Sequence, residues 1–187
     1  MSNVKTIITD SIRFAEGNAE DKGAKYTEGY NLEAGKFKGL SIIQSSADLL
    51  ESAVRKANAT FDDMADLEEK RGDAQEVLYL EGRYKFYENF LSQFKNWLKD
   101  QDVEAKVRYG RGELLDIKDN AVASNPSAEE RLMFALTEYT LESFEEDEKG
   151  NITSVSVKKN LGKDEIKSMK LEEFNMLFDF DWLTYYK

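Results

Sequence analysis

The stretch from Gln75 to Lys99, QEVLYLEGRYKFYENFLSQFKNWLK, constrains this chain more than any other. Val77, Leu80, Tyr84, Tyr87, Leu91, Phe94 and Leu98 follow at alternating steps of three and four, which places all of them on one side of an α-helix. Tyr79, Phe86, Phe90 and Trp97 form a second stripe on another face. A helix apolar on two sides needs neighbours on both. The spacing therefore predicts a central helix, roughly 37 Å long at about 1.5 Å per residue, with the rest of the fold packed around it.

Composition narrows the chemistry more than it narrows the fold. The 187 residues include no cysteine and no histidine. Thiolate nucleophiles, disulfides, Cys-ligated metals, Ser-His-Asp or Cys-His catalysis and most zinc chemistry are thereby excluded. An enzyme built from this chain would rely on carboxylates, lysine, arginine, tyrosine or hydroxyls, so a non-enzymatic role is the expectation. Hydrophobic residues make up 41 % and charged residues 34 %, enough for a core beneath a heavily charged surface, and the single proline leaves room for long helices. One domain over 1–187 is expected. The N-terminus lacks the continuous apolar run of a signal peptide, and no stretch is long and apolar enough to span a membrane. A cytoplasmic protein without membrane contact is the resulting expectation.

The remaining chain reads as mixed. Val4, Ile8, Ser11, Ile12 and Ala15 suit a short amphipathic helix. Between about 17 and 39, Gly17, Gly23, Gly29 and Gly35 recur every six residues, which predicts an irregular glycine-rich segment with its aromatics laid on the helical body. Leu40–Asn58 reads as one helix, with Thr60 as a cap for the segment that follows. Val103, Ala105, Val107 and Tyr109 alternate with charged residues, predicting a strand that turns at Gly110–Gly112 into a second strand ending at Ile117. Ser127 and Glu130 have capping-box spacing for a helix running to about Glu148. Ile152–Val157 reads as a strand, Leu171–Phe178 as a last helix, and the aromatic tail as packed back on the body.

Several motifs suggest chemistry and then fall short of it. Glu145 to Ile152 resembles the start of a calcium loop, with acids at positions one and three, glycine at six and isoleucine at eight. Lys149 sits at position five and Ser156 at twelve, where oxygen ligands are needed, so a plain turn is the better reading. Asp179 with Asp181, and Asp62 and Asp63 with Asp66, offer paired carboxylates for magnesium. No Gly-rich phosphate loop or Walker lysine accompanies them. Lys106, Arg108 and Arg111, and the lysines from Lys158 to Lys170, are basic clusters that read more simply as ion-pair partners than as a phosphate site.

Charge is the feature that points to function. The formal net charge is −11, with two acidic concentrations: seven acids against two bases from Thr60 to Glu76, and eight against two from Ser127 to Gly150. Such a balance disfavours direct binding to nucleic acid or an anionic membrane and favours a basic partner. Carboxylates along rigid helices can imitate a row of phosphates. The expectation is a mainly helical α+β domain, with helices around the segment at about 75–99 and a small antiparallel β-sheet. It would act as an interaction module for a protein with a basic surface, in its sharper form a nucleic-acid mimic that inhibits or regulates a nucleic-acid-handling protein. The expected contact residues are Asp62, Asp63, Asp66, Glu68 and Glu69, with Glu138, Glu142, Glu145, Glu146, Asp147 and Glu148. No cofactor, metal or catalytic residue is expected. The alternatives are a subunit that forms a homo-oligomer through aromatic surfaces and a carboxylate-based, metal-dependent enzyme.

Overall fold

A computed structural model describes residues 3–118, 121, 127, 137–160 and 165–181. The fold is mainly helical α+β. It divides into two compact units, one ending at Asp100 and the other beginning at Gln101, where the composition suggests one domain.

The first unit is four helices: α1 (Val4–Gly17), α2 (Ala24–Ile43), α3 (Ser46–Glu69) and α4 (Ala74–Lys99). α4 is the centre, and α1, α2 and α3 all pack on it. Both apolar stripes do what their spacing requires. Leu80, Tyr84, Tyr87, Leu91, Phe94 and Leu98 are buried on one side, and Phe86 and Phe90 on the other. Phe37 of α2 sits among Phe86, Tyr87 and Phe90, with ring centroids 5.8, 5.7 and 4.7 Å away in edge-on arrangements. Such contacts add to what burial alone gives. Asn3, Ser45 and Asp73 cap α1, α3 and α4 through their side chains.

The glycine-rich segment is helical from Ala24 onward, not irregular. Its glycines serve packing: at Gly29 and at Gly82 of α4, the lack of a side chain lets the two backbones come together. The predicted helix Leu40–Asn58 is interrupted. α2 stops at Ile43, Gln44 and Ser45 take extended backbone, and α3 starts afresh at Ser46. Ser45 Oγ accepts from the Asp48 amide at 3.2 Å and donates to the Asp48 carboxylate at 2.6 Å, so a reciprocal cap outweighs continuous apolar spacing. Thr60 is no cap. It lies inside α3 with its hydroxyl on the Lys56 carbonyl at 2.6 Å.

Among the described residues, the second unit is a five-stranded antiparallel sheet with two short helices. The elements are α5 (Val103–Tyr109), β1 (Leu114–Ile117), β2 (Tyr139–Glu146), β3 (Ile152–Lys159), β4 (Glu165–Lys170), α6 (Leu171–Leu177) and β5 (Phe178–Asp181). The sheet order is β4-β3-β2-β1-β5. Val107, Leu115, Leu141, Val155, Val157, Met169, Phe174 and Phe178 form its core.

Two expectations reverse here. Val103–Tyr109 is a helix rather than a strand, because Asp102 caps it through the Ala105 amide at 3.0 Å and Lys106 and Arg108 complement its C-terminal end. Conversely, Tyr139–Glu146 is a strand rather than the end of a helix. Its Tyr, Thr, Leu and Phe suit a pleated surface, and it pairs with β3 from Tyr139↔Lys159 to Glu146↔Ile152. The predicted helix start at Ser127–Glu130 runs into residues 128–136, outside the described residues. The last helix is present as α6, and the start of the aromatic tail joins the sheet as β5, paired with β1. Residues 182–187 lie outside the described residues.

Candidate partner-binding surface

The expected contact residues fall in two regions, one in each unit. In the first unit they lie on the last two turns of α3. Asp62, Asp66 and Glu69 are spaced by four and three, so they share one stripe, and Asp63 flanks it one position round. The buried side of α3 is made by Leu49, Leu50, Ala53 and Ala57, which leaves these four carboxylates on the outward arc, all exposed. Glu68 is exposed too, but stands about 200° round the helix from Asp66. Among the described residues the only ion pair these five make is a loose one, Asp66 to Lys70 at 3.9 Å.

The placement runs against the helix field. Asp66, Glu68 and Glu69 occupy the C-terminal end of α3, where the macrodipole is negative, and the last turn holds no basic residue. Carboxylates are favoured at the other end.

The second group is used differently. Glu138 precedes β2, and Glu142, Glu145 and Glu146 lie along it, all exposed. Several are engaged locally. Glu145 accepts from the Ser154 hydroxyl at 2.7 Å, and Glu146 is ion-paired with Arg108, which also donates to the Gly150 carbonyl at 2.8 Å. Asp147 organises the β2–β3 turn: its carboxylate accepts from the Asn151 side chain at 2.9 Å and from the backbone amides of Asn151 and Lys149 at 2.9 and 2.8 Å. Those bonds, the Asn151 side chain foremost, hold its carboxyl below the usual range. Glu148 follows in the turn, and Gly150 supplies its positive φ of 80°. The segment that resembled a calcium loop is thus a hairpin turn closed by its own aspartate. Among the described residues, no group of three or more carboxylates is arranged to hold a metal ion.

The basic clusters are partly spent on the same contacts. Arg111 Nε donates to the Glu142 carbonyl at 3.0 Å, and Lys167 reaches Glu173 at 3.8 Å. Among the described residues no helix is long and apolar enough to cross a membrane.

Sequence reading missed one polar cluster altogether. Glu33 of α2 is 1 % exposed, yet it is charged and fully partnered: Arg83 Nε lies 2.8 Å from one carboxylate oxygen and the Tyr87 hydroxyl donates to the other at 2.5 Å. Burial alone would raise its pKa. The hydrogen bonds from Tyr87 and Arg83 outweigh that and hold it below the ordinary carboxylate value. Nearby, the Tyr30 hydroxyl donates to the Ala15 carbonyl and accepts from the Asn89 amide at 3.0 Å, tying α1, α2 and α4 together. Glu33 carried a signal of sorts, since it falls between Tyr30 and Phe37 on the face that packs on α4.

No family model matches this chain, and no curated protein and no solved structure is significantly similar to it.

Proposed function

We propose that this protein is a non-enzymatic interaction module that docks the carboxylate arc of α3 on a basic protein surface, and that it acts as a nucleic-acid mimic regulating a nucleic-acid-handling partner. The observation that carries the reading is the concentration of carboxylates at the end of α3, where the last turn itself holds no basic residue. Acids in the last turn of a helix cost roughly 0.3–1 kcal/mol each at low salt. Asp66 has only the long contact to Lys70 at 3.9 Å, and among the described residues Glu68 and Glu69 have no ion pair, so these acids weaken the fold locally, which is the pattern of side chains held ready for something else.

The density of charge supports mimicry. Asp62, Asp66 and Glu69 mark one stripe at one charge per about 5 Å, at about 1.5 Å per residue, with Asp63 about 100° round from Asp62. Phosphates along one strand of duplex DNA are of comparable density, one per about 3.4 Å of axis. A basic groove shaped for one could receive the other, with the same release of bound counterions. The β2 carboxylates support this reading less, because Glu145, Glu146 and Asp147 already serve the second unit's own turn and ion pair.

The test is capture of partners from a lysate of the source organism at 50 and 500 mM NaCl, using the native chain and D62N/D63N/D66N/E69Q. Partners held by the native chain at low salt, released by high salt and by duplex DNA, and not held by the variant, are the expected result. An identical set of captured proteins with the variant would refute the proposal.

A further inference from the structure

The first unit carries a second charged feature, of opposite sign, at the other end of α3. Because Ser45 ends the run of apolar spacing, the chain turns at Gln44 instead of continuing as one helix. Beside that turn, α1 and the two helix ends enclose a groove of about 490 Å³. Small-molecule sites occupy roughly 300–1,000 Å³. Its apolar lining comes from Ile8 and Leu49, both buried, and from Ile42, which is 77 % exposed at the end of α2.

Three cations line the same groove, Lys5 and Arg13 from α1 and Lys38 from α2, against a single acid, Asp10. A lining with two positive charges to spare is notable in a chain whose net charge is −11. Their existing partners are weak competitors. Arg13 meets Asp10 at 3.6 Å and Lys38 meets Glu16 at 3.2 Å, both in solvent-exposed pairs, and among the described residues Lys5 has no ion pair. Exposed pairs of this kind exchange for another anion at little cost.

We propose that this groove is a binding site for a small amphipathic organic anion. Its carboxylate, sulfonate or phosphate group is held by Lys5, Arg13 and Lys38, and its apolar body lies on Ile8, Leu49 and Ile42. The site is independent of the α3 arc and stands or falls separately from it. Charge complementarity selects an anion over a neutral lipid, and the size of the groove selects a small molecule over a protein segment.

Anilinonaphthalene sulfonate has both features, an apolar ring system and an anion, and serves as the probe. Fluorescence titration of the native chain should give one site. K5Q/R13Q/K38Q should weaken it at least about tenfold, the loss expected when charge-assisted bonds are removed. The uncharged analogue N-phenyl-naphthylamine should bind the native chain about tenfold more weakly for the same reason. K36Q/R55Q/K70Q, which makes the same change in net charge outside the groove, should leave the affinity as it was. Amide shifts in the native chain should concentrate in residues 5–13 and 38–49 and settle the location without any variant. Equal binding of the neutral analogue, indifference to K5Q/R13Q/K38Q, several probe molecules per chain, or shifts centred elsewhere would each overturn the site. So would light scattering that shows a dimer dispersed by K5Q/R13Q/K38Q, since a second copy would then fill the groove.

Discussion

Gly29 of α2 and Gly82 of α4 each lie against the backbone of the other's helix. A Cβ on Gly29 would fall well under 3.0 Å from the Tyr79 carbonyl oxygen, and one on Gly82 would do the same at the Tyr26 carbonyl. The two residues set how closely the glycine-rich helix approaches the central one. That approach brings Phe37 into the ring cluster of Phe86, Tyr87 and Phe90.

Glycine-to-alanine exchanges therefore split by position. In an open helix the exchange gains roughly 0.5–1 kcal/mol from propensity and a stiffer unfolded chain. Gly35, with nothing within 4 Å of an added Cβ, should show that gain. Gly29→Ala and Gly82→Ala must push two backbones apart, at the 1–3 kcal/mol typical of overpacking. Each should lose about 2 kcal/mol net in urea denaturation. A neutral result at Gly82 would show that the helices have room to separate.

Glu33 supplies a pH dependence whose sign is fixed by its partners. Its folded-state pKa lies below the unfolded value of about 4.3, so its contribution to stability is complete above that value and is lost as pH falls through the folded one. Glu33→Gln strands Arg83 and should cost about 2 kcal/mol at pH 7. That is less than the 3–5 kcal/mol of a fully buried broken pair, because Arg83 keeps partial access to water. The difference between native chain and variant should shrink as pH drops below about 4. Denaturation curves at pH 7, 5 and 3 read this directly, and a difference independent of pH would mean that Glu33 is not ionised in the fold.

The break between α2 and α3 makes a smaller prediction. Ser45→Ala removes the hydroxyl cap and should cost about 1 kcal/mol, while Ser45→Asp, which can still accept from the Asp48 amide, should keep part of it. Repulsion between the introduced carboxylate and that of Asp48 limits how much. Thermal denaturation of the two variants separates the cap from simple helix propensity. Equal loss in both would assign the interruption to some other cause.

What could be read from the chain alone follows the length of each periodic signal. The α4 stripes extend over about five to six turns at 3.6 residues per turn, and one pattern of that length admits one interpretation, so the central helix and its buried side were legible. Short signals were not. Val103–Tyr109 satisfies strand alternation, but also carries Val103 and Val107 at helical spacing with an aspartate in front, and the cap decided it. Tyr139–Glu146 looks helical when read with the acids that follow it. Strand residues and a partner strand decided it, and partner strands cannot be seen in a local window. The glycines at six-residue spacing suggested loops because their use, at Gly29, depends on Gly82 some fifty residues later. The acids of the candidate surface were visible as composition. Which of them stay available was not, because Arg108, Ser154 and Asn151 reach Glu146, Glu145 and Asp147 only in the folded second unit. The cation-lined groove was hidden for the same reason, since Lys5 and Lys38 are far apart in the chain and meet only when α1 lies beside the end of α2.

The carboxylate arc links stability to binding in a way that separates function from solubility. Removing Asp66 and Glu69 charge relieves repulsion with the negative end of α3 and among neighbouring acids, so D66N/E69Q should be more stable than the native chain by a few tenths to about 1 kcal/mol at low salt. The gain should fade at 500 mM NaCl, where exposed charges are screened within a few ångströms. If the arc docks on a basic surface, the same variant loses affinity for the captured partner, and native affinity falls steeply with salt. Stability and binding then move in opposite directions from one pair of substitutions. A more stable variant that binds its partner as tightly as the native chain would leave these acids with solubility as their only role.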